Sequence, residues 1–186
     1  TKASGGVFYA GGGTQTQKEA GIEDTPENML AYLKLEVEDI VKPETLERFC
    51  ETSVENYEWL VKNGVDFRSS LWPSKTSFPG PEYFLYHSDN TLVSNIQKQI
   101  PAKARGHRGY VPVEQGRKAI NLGGSIFDPL NQTALQRGMV FHDYTEVQTL
   151  VIDSQGRVCG VEIHYFESDS VKQKYIDFLT KANRYF

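Results

Sequence analysis

The sequence has little that would tie it to a membrane, a nucleic acid or a metal. No window approaches eighteen uninterrupted apolar residues, so nothing predicts a bilayer span, and residues 1–17 lack the charged and apolar blocks of a secretory leader. The chain reads as soluble and cytoplasmic. Basic side chains number 20 against 24 acidic ones, for a net charge of −4 and a pI near 5.6. Nucleic-acid affinity comes largely from basic residues neutralising phosphates, so that class of partner is excluded. Only two cysteines occur, Cys50 and Cys159, far apart and without a CxxC or a histidine cluster, which removes a metal site and makes both read as reduced core thiols. Neither GxGxxG nor GxxxxGK[ST] is present, so no standard phosphate fingerprint can be claimed. Internal repeats and low-complexity tracts are missing as well.

What is present is ordinary globular material: 39% apolar and 24% charged over 186 residues, enough for one cored domain or a large piece of something bigger. Thr25-Pro26-Glu27 predicts a helix start, with a capping hydroxyl, a proline at the first helical position and an acid on the dipole. Met29, Leu30, Leu33, Val37 and Ile40 follow at helical spacing. Pro43 opens a second helix whose stripe from Leu46 to Val61 ends at Asn63-Gly64. From Asp66 to Ala104 the pattern breaks into an irregular excursion with aromatic anchors, as at Trp72-Pro73 and Phe78-Pro79-Gly80-Pro81. Gly123-Gly124 opens a third helix ending at Gly138, with Pro129 implying a late start or a kink. Met139–Tyr144 reads as a strand, and Val147–Asp153, a Gly156 turn and Val158–Tyr165 read as a β-hairpin. Residues 169–183 read as a final amphipathic helix. One hairpin plus fragments is thin cover for four helices, so the pattern predicts part of an α/β protein whose other strands lie elsewhere.

Two tracts carry candidate chemistry. The stretch TKASGGVFYAGGGTQTQ places five glycines among its first thirteen residues. Glycine lets backbone N–H groups approach a ligand closely, so Thr1, Ser4, Gly5, Gly6 and Gly11–Gly13 suit a nucleotide cofactor; a flexible terminus or a tight turn is the alternative, and the residues by themselves favour it. Tyr9, between the two glycine clusters, would face whatever the loop holds. The second tract, Ala104-Arg105-Gly106-His107-Arg108-Gly109-Tyr110, either presents Arg105 and His107 to an anion or a catalytic partner, or forms a solvated turn paired with Glu114. His87, His142 and His164 stand singly and read as structural.

The residues also carry a resemblance. Thr1-Lys2-Ala3-Ser4-Gly5-Gly6, Gly11-Gly12-Gly13-Thr14, Gln17 and Gly21 through Met29 resemble the flavoproteins of the fumarate reductase and succinate dehydrogenase superfamily, with GGGT most similar to the branch of Δ4(5α) 3-ketosteroid dehydrogenases. Ser53 through Leu60, Asn63 through Phe67, Ala104 through Arg108 and the hairpin around Asp153 and Gly156–Val161 continue it in the same order, over residues 1 to about 165.

The resemblance implies a partial Rossmann-like FAD-binding domain over residues 1–165, α/β as a whole and α+β in this fragment, with residues 166–186 as a helical insertion or tail. It implies FAD as cofactor, contacted by Thr1, Lys2, Ser4, Gly5 and Gly6 along the pyrophosphate and ribityl chain, by Gly12 and Gly13 near the flavin ring, and by Val147 at the adenine. Tyr9, Arg105 and His107 are the substrate-proximal candidates. The expected whole enzyme is an FAD-dependent oxidoreductase acting on CH–CH bonds, with a 3-ketosteroid or a small dicarboxylate as substrate and the remainder of the flavoprotein as partner. A non-catalytic interaction module is the competing expectation. The family's GxGxxG strand and its cap domain, which carries the acid/base residues in relatives, are not among these residues, so no catalytic residue is assigned and the chain alone is expected to be inactive.

Overall fold

A computed structural model describes residues 2–74, 76, 79–86, 94–110 and 122–182. Contacts divide the chain into two compact units, Thr1–Gly138 and Met139–Phe186.

The first unit is built on a small antiparallel sheet. Strand β1 (Val7–Tyr9) and strand β2 (Leu85–Tyr86) flank the central strand β3 (Gly106–Arg108), with Phe8 opposite His107 on one side and Leu85 opposite His107 on the other. All three residues of β3 are buried. The tract expected as a loop is therefore the middle of the sheet, and the solvated turn is ruled out. It was invisible to periodicity because three residues carry no period. The same holds for β1, which lies between the two glycine clusters. The excursion before β3 is irregular where described and anchored by aromatics, with Trp72 edge-on to Tyr83 at 4.7 Å. Arg108 ties it down, donating to the carbonyls of Pro79 and Gly80 at 3.1 Å.

Helices pack around this sheet. Helix α1 (Gln15–Glu19) opens on a reciprocal cap, Gln17 N–H donating to Thr14 Oγ1 while Gln17 Oε1 accepts from Thr14 N–H. Helix α2 (Pro26–Val37) starts as its sequence predicts, with Thr25 capping Asn28 N–H at 3.1 Å. The helix expected from Pro43 to Val61 is two helices, α3 (Pro43–Glu51) and α4 (Ser53–Lys62), parted at Thr52. The Thr52 hydroxyl donates to the Arg48 carbonyl at 2.8 Å, a local competition with the helical ladder that side chains such as leucine cannot offer. The end of α4 is fixed by Gly64 at φ +95°, with Val65 N–H reaching the Leu60 carbonyl and Gly64 N–H the Val61 carbonyl. Helix α5 (Ser94–Gln99) is short. Helix α6 (Gly124–Gln136) does not start late: Pro129 lies inside it, as its sixth residue. The core gathers Met29, Tyr32, Leu46, Cys50, Tyr57, Leu60, Val65 and Leu85.

The second unit is a hairpin and a helix. Strands β4 (Glu146–Ile152) and β5 (Val158–His164) pair antiparallel, closed by a turn in which Asp153 Oδ1 accepts from Gln155 and Arg157 N–H and Gly156 takes φ +77°. Helix α7 (Asp169–Ala182) follows. Residues 139–144 form no strand, contrary to expectation. A strand needs a neighbour for its N–H and C=O groups, and among the described residues β4 and β5 pair only with each other. Cys159 likewise leaves the expected core, because every residue of both strands is exposed in this chain; Cys50 is buried as expected.

Candidate functional site

The second glycine cluster is held by a buried polar network rather than left open. Gly11 N–H donates to Ser53 Oγ at 2.9 Å, Gly12 N–H to Asp24 Oδ2 at 3.1 Å, and Gly13 N–H to Gln17 Oε1 at 3.0 Å. Gln17 in turn donates through Nε2 to Asp24 Oδ2 at 3.1 Å and to the Ala104 carbonyl at 2.8 Å. Gly12 and Gly13 sit at φ +81° and +93°, where a side chain would be strained. Gly11 is glycine for a different reason: a Cβ there would stand 2.7 Å from Asp24 Oδ2 and 2.8 Å from Arg105 Cδ. The amides of this loop are committed to the chain's own side chains, so any ligand contact from Gly12 and Gly13 runs through their Cα and carbonyl faces.

At the centre of the network lies an ion pair. Arg105 Nε donates to Asp24 Oδ2 and Nη2 to Oδ1, both at 2.8 Å, with the two side chains 1% and 0% exposed. Burial alone would raise the Asp24 carboxyl, but the Arg105 guanidinium, with Gly12 N–H and the Gln17 amide, outweighs it and holds the pKa below the usual range. Burial pulls Arg105 the other way, and Asp24 more than compensates. Asp24, Gln17 and Ser53 have no site role in the sequence reading, although all three lie in the segments that carry the family resemblance.

His107 is sealed beside this pair. Its Nδ1 lies 3.0 Å from the Arg105 carbonyl, which accepts and so fixes the proton on Nδ1, leaving Nε2 to accept from Thr14 Oγ1 at 2.9 Å. The rings of Tyr57 and Phe67 stand 5.1 and 5.9 Å from the imidazole. Burial lowers its pKa to about 4, against the opposing pull of the Arg105 and Phe8 carbonyls. His107 is thus a neutral structural donor and acceptor at pH 7 in this unit.

The first glycine cluster is the open one. Thr1 lies outside the described residues, as do His87 and Glu114. Lys2 is exposed, paired with Asp128 at 2.6 Å, and Ser4 is exposed. The Ser4 carbonyl accepts from Gly123 N–H at 2.8 Å, and the Gly6 carbonyl from Gly109 N–H at 3.0 Å, which anchors the strip from behind. Gly6 lies at φ +64°, and a Cβ there would collide with the Leu122 carbonyl. A Cβ at Gly5 would meet nothing within 4 Å. Val147, in the second unit, pairs with Ile163 beside a register shift before Thr149, so the ladder is interrupted there. Tyr9 is partly exposed beside Arg105.

A family model described as FAD binding domain matches residues 1–179. The chain belongs to that family. FAD is therefore its cofactor, and the residues fit one: an anchored strip with an exposed lysine, an exposed hydroxyl and open space over Gly5 can lie along a polyanionic, hydroxylated chain. Among known members and relatives, 161 residues are 38% identical to the 3-oxo-5-alpha-steroid 4-dehydrogenase of Comamonas testosteroni, covering 86% of this chain and 29% of that protein. The structure is similar to that of a 3-ketosteroid-delta4-(5alpha)-dehydrogenase from Rhodococcus jostii RHA1 solved with 4-androstene-3,17-dione, at 33% identity and a TM-score of 0.78 over 90% of this chain and 34% of that one. A flavocytochrome c3 fumarate reductase shares the fold, at 21% identity and a TM-score of 0.56 over 84% of this chain and 23% of that one. This FAD-binding domain chain thus spans about a third of the length of the relatives it matches.

Proposed function

We propose that this chain is one wall of the FAD site of an oxidoreductase that moves hydride between flavin and a carbon next to a carbonyl, with a 3-ketosteroid as substrate. The likeness to two steroid dehydrogenases, at 38% and 33% identity, carries the reading; the fumarate reductase likeness supports the fold alone. FAD supplies the hydride chemistry when bound, and the protein supplies position and field. Lys2, Ser4, Gly5 and Gly6 run along the cofactor; Gly12 and Gly13 approach it through Cα and carbonyl; and Val147 offers main-chain groups to the adenine. Tyr9 and Arg105 lie toward the substrate side. His107, neutral and sealed, acts by holding Thr14 and the glycine turn. Acid/base residues belong to the rest of the enzyme. No described helix is long and apolar enough to cross a membrane, and the reading takes the enzyme to be cytoplasmic.

The test is the visible spectrum of the purified full-length protein. Flavin absorbance that bleaches on adding a saturated 3-ketosteroid supports the reading; reoxidation by fumarate instead would move the substrate to dicarboxylates. Absence of flavin bands would overturn it in favour of a non-catalytic interaction module.

A further inference from the structure

The second unit holds a cavity of its own, of about 420 Å³, a volume within the range that encloses a small organic ligand. Three of the rings that line it come from three segments: Tyr144 just before β4, Phe166 just after β5 and Tyr175 from α7. Phe166 and Tyr175 stand 5.3 Å apart at a tilt, and Tyr144 meets Tyr175 edge-on at 6.0 Å.

The cluster is more than a seam joining α7 to the hairpin. A seam closes its rings off from water, yet Tyr144 and Tyr175 each keep 43% of their surface exposed, and both line the cavity. Tyr144 gets there from φ +50°, a left-handed state that is costly for a tyrosine and persists only where its surroundings fix it. Lys172 helps to fix it, with its ammonium 5.6 Å from the centre of the Tyr144 ring and 2.5 Å from Asp143. The Lys172 charge is thereby spent on Asp143.

The polar residues decide what such a surface can hold. Glu146 and His164 are opposite each other in the ladder, both line the cavity, and neither side chain has a hydrogen bond or ion pair among the described residues. A free carboxylate repels an anion and accepts from an N–H donor, in the stronger, charge-assisted kind of hydrogen bond. Exposed aromatic faces stack on a nucleobase, whichever base it is. A planar ring bearing an amino group satisfies both, and in FAD that ring is the adenine; the flavin ring bears no amino group and grows more electron-rich on reduction, which a carboxylate opposes. We propose that Tyr144, Phe166 and Tyr175 form the surface on which the adenine of FAD stacks, with Glu146 accepting a hydrogen bond from the adenine amino group. This stacking surface rests on the flavin reading, which sets Val147, the neighbour of Glu146, at the adenine. It also gives α7 a role beyond that of an insertion or tail, since Tyr175 completes the cofactor site.

The experiment titrates the full-length protein, freed of its flavin, with FAD, FMN and flavin hypoxanthine dinucleotide, in which an oxo group replaces the adenine amino group; flavin fluorescence reports binding. The parent should hold FAD about tenfold or more tighter than the hypoxanthine compound, the worth of a hydrogen bond to a charged acceptor. Glu146→Leu, at an exposed position, should erase that preference. Tyr175→Ala should weaken FAD about tenfold, the scale of one base–aromatic stack, and leave FMN as in the parent, because FMN has no adenine. Tyr175→Phe keeps the ring and should match the parent. The proposal fails if the hypoxanthine compound binds the parent as tightly as FAD, if Glu146→Leu keeps the preference, or if Tyr175→Ala leaves FAD unchanged or weakens FMN equally. A parent that takes up neither FAD nor FMN overturns the flavin reading and this proposal with it; one that takes up FAD without these differences overturns this proposal alone.

Discussion

Asp24 and Arg105, 81 residues apart in the chain, meet through two hydrogen bonds of 2.8 Å in a position closed to water. That one contact joins the start of α2 to the central strand. Because the same carboxylate also accepts from Gly12 and Gln17, it sets the second glycine turn at the same time.

Breaking the pair from one side should therefore be severe. Asp24→Asn leaves a buried guanidinium without its counter-charge, and about 3–5 kcal/mol of unfolding free energy should be lost. Asp24→Leu combined with Arg105→Met should recover only part of it, since Gly12 N–H and the Gln17 amide then lose their acceptor. Urea unfolding of the single and double variants reads this directly. If the Asp24→Asn variant proves within about 1 kcal/mol of the parent, the size of an ordinary surface-like substitution, the pair is not what secures the turn.

His107 predicts a pH dependence of definite sign. Its folded pKa is near 4 and an unfolded histidine titrates near 6.5, so between those values the unfolded chain holds a proton that the folded chain does not. Stability is complete above pH 6.5 and falls as the pH drops toward 4, by about 3 kcal/mol at most. Asp24, with its lowered pKa, adds a further loss only near and below its unfolded value of about 4. Urea midpoints measured between pH 7 and 4.5 should slope for the parent and flatten for His107→Gln; equal slopes in both proteins would assign the acid sensitivity to other groups.

Part of this architecture is legible in the residues. Thr25-Pro26, the stop at Gly64, the hairpin with its Gly156 turn and the final helix rest on local rules of capping, φ and periodicity, and local rules are what a sequence displays. The site is less legible. Arg105 and His107 stand out as charged residues between glycines, yet their roles come from partners 81 and 93 residues away, Asp24 and Thr14. Strands of three residues such as β1 and β3 have no period to detect, and the break at Thr52 depends on one hydroxyl that an apolar stripe passes over. Residues 139–144 show the converse case: a strand-like pattern with no strand beside it among the described residues.

The two cysteines should separate cleanly by reactivity. Cys159 is exposed on β5, whereas Cys50 is buried and burial raises its thiol pKa, which lowers the thiolate fraction further. A maleimide at pH 7.5 should label this chain once, at Cys159, with Cys50 reacting only after denaturant is added. Mass spectrometry of the labelled peptides checks it, and comparable labelling of both sites under native conditions would mean that the α3 face opens readily.

The glycines divide into those that build the turn and those that leave room over it, and two alanine substitutions should tell them apart. At Gly11 a methyl group would press on Asp24 and Arg105 at under 3 Å, both of them buried side chains, so Gly11→Ala should cost about 1–3 kcal/mol, the usual range for overpacking a buried site. At Gly5 the same methyl group meets nothing within 4 Å, and Gly5→Ala should keep its stability within about 0.5 kcal/mol of the parent. Its effect belongs to the cofactor: a methyl group projecting from the open strip should lower FAD retention about tenfold in the full-length protein, read as the flavin-to-protein absorbance ratio after gel filtration. Were Gly5→Ala to hold FAD as tightly as the parent, the strip from Lys2 to Gly6 would not be the surface along which the cofactor lies.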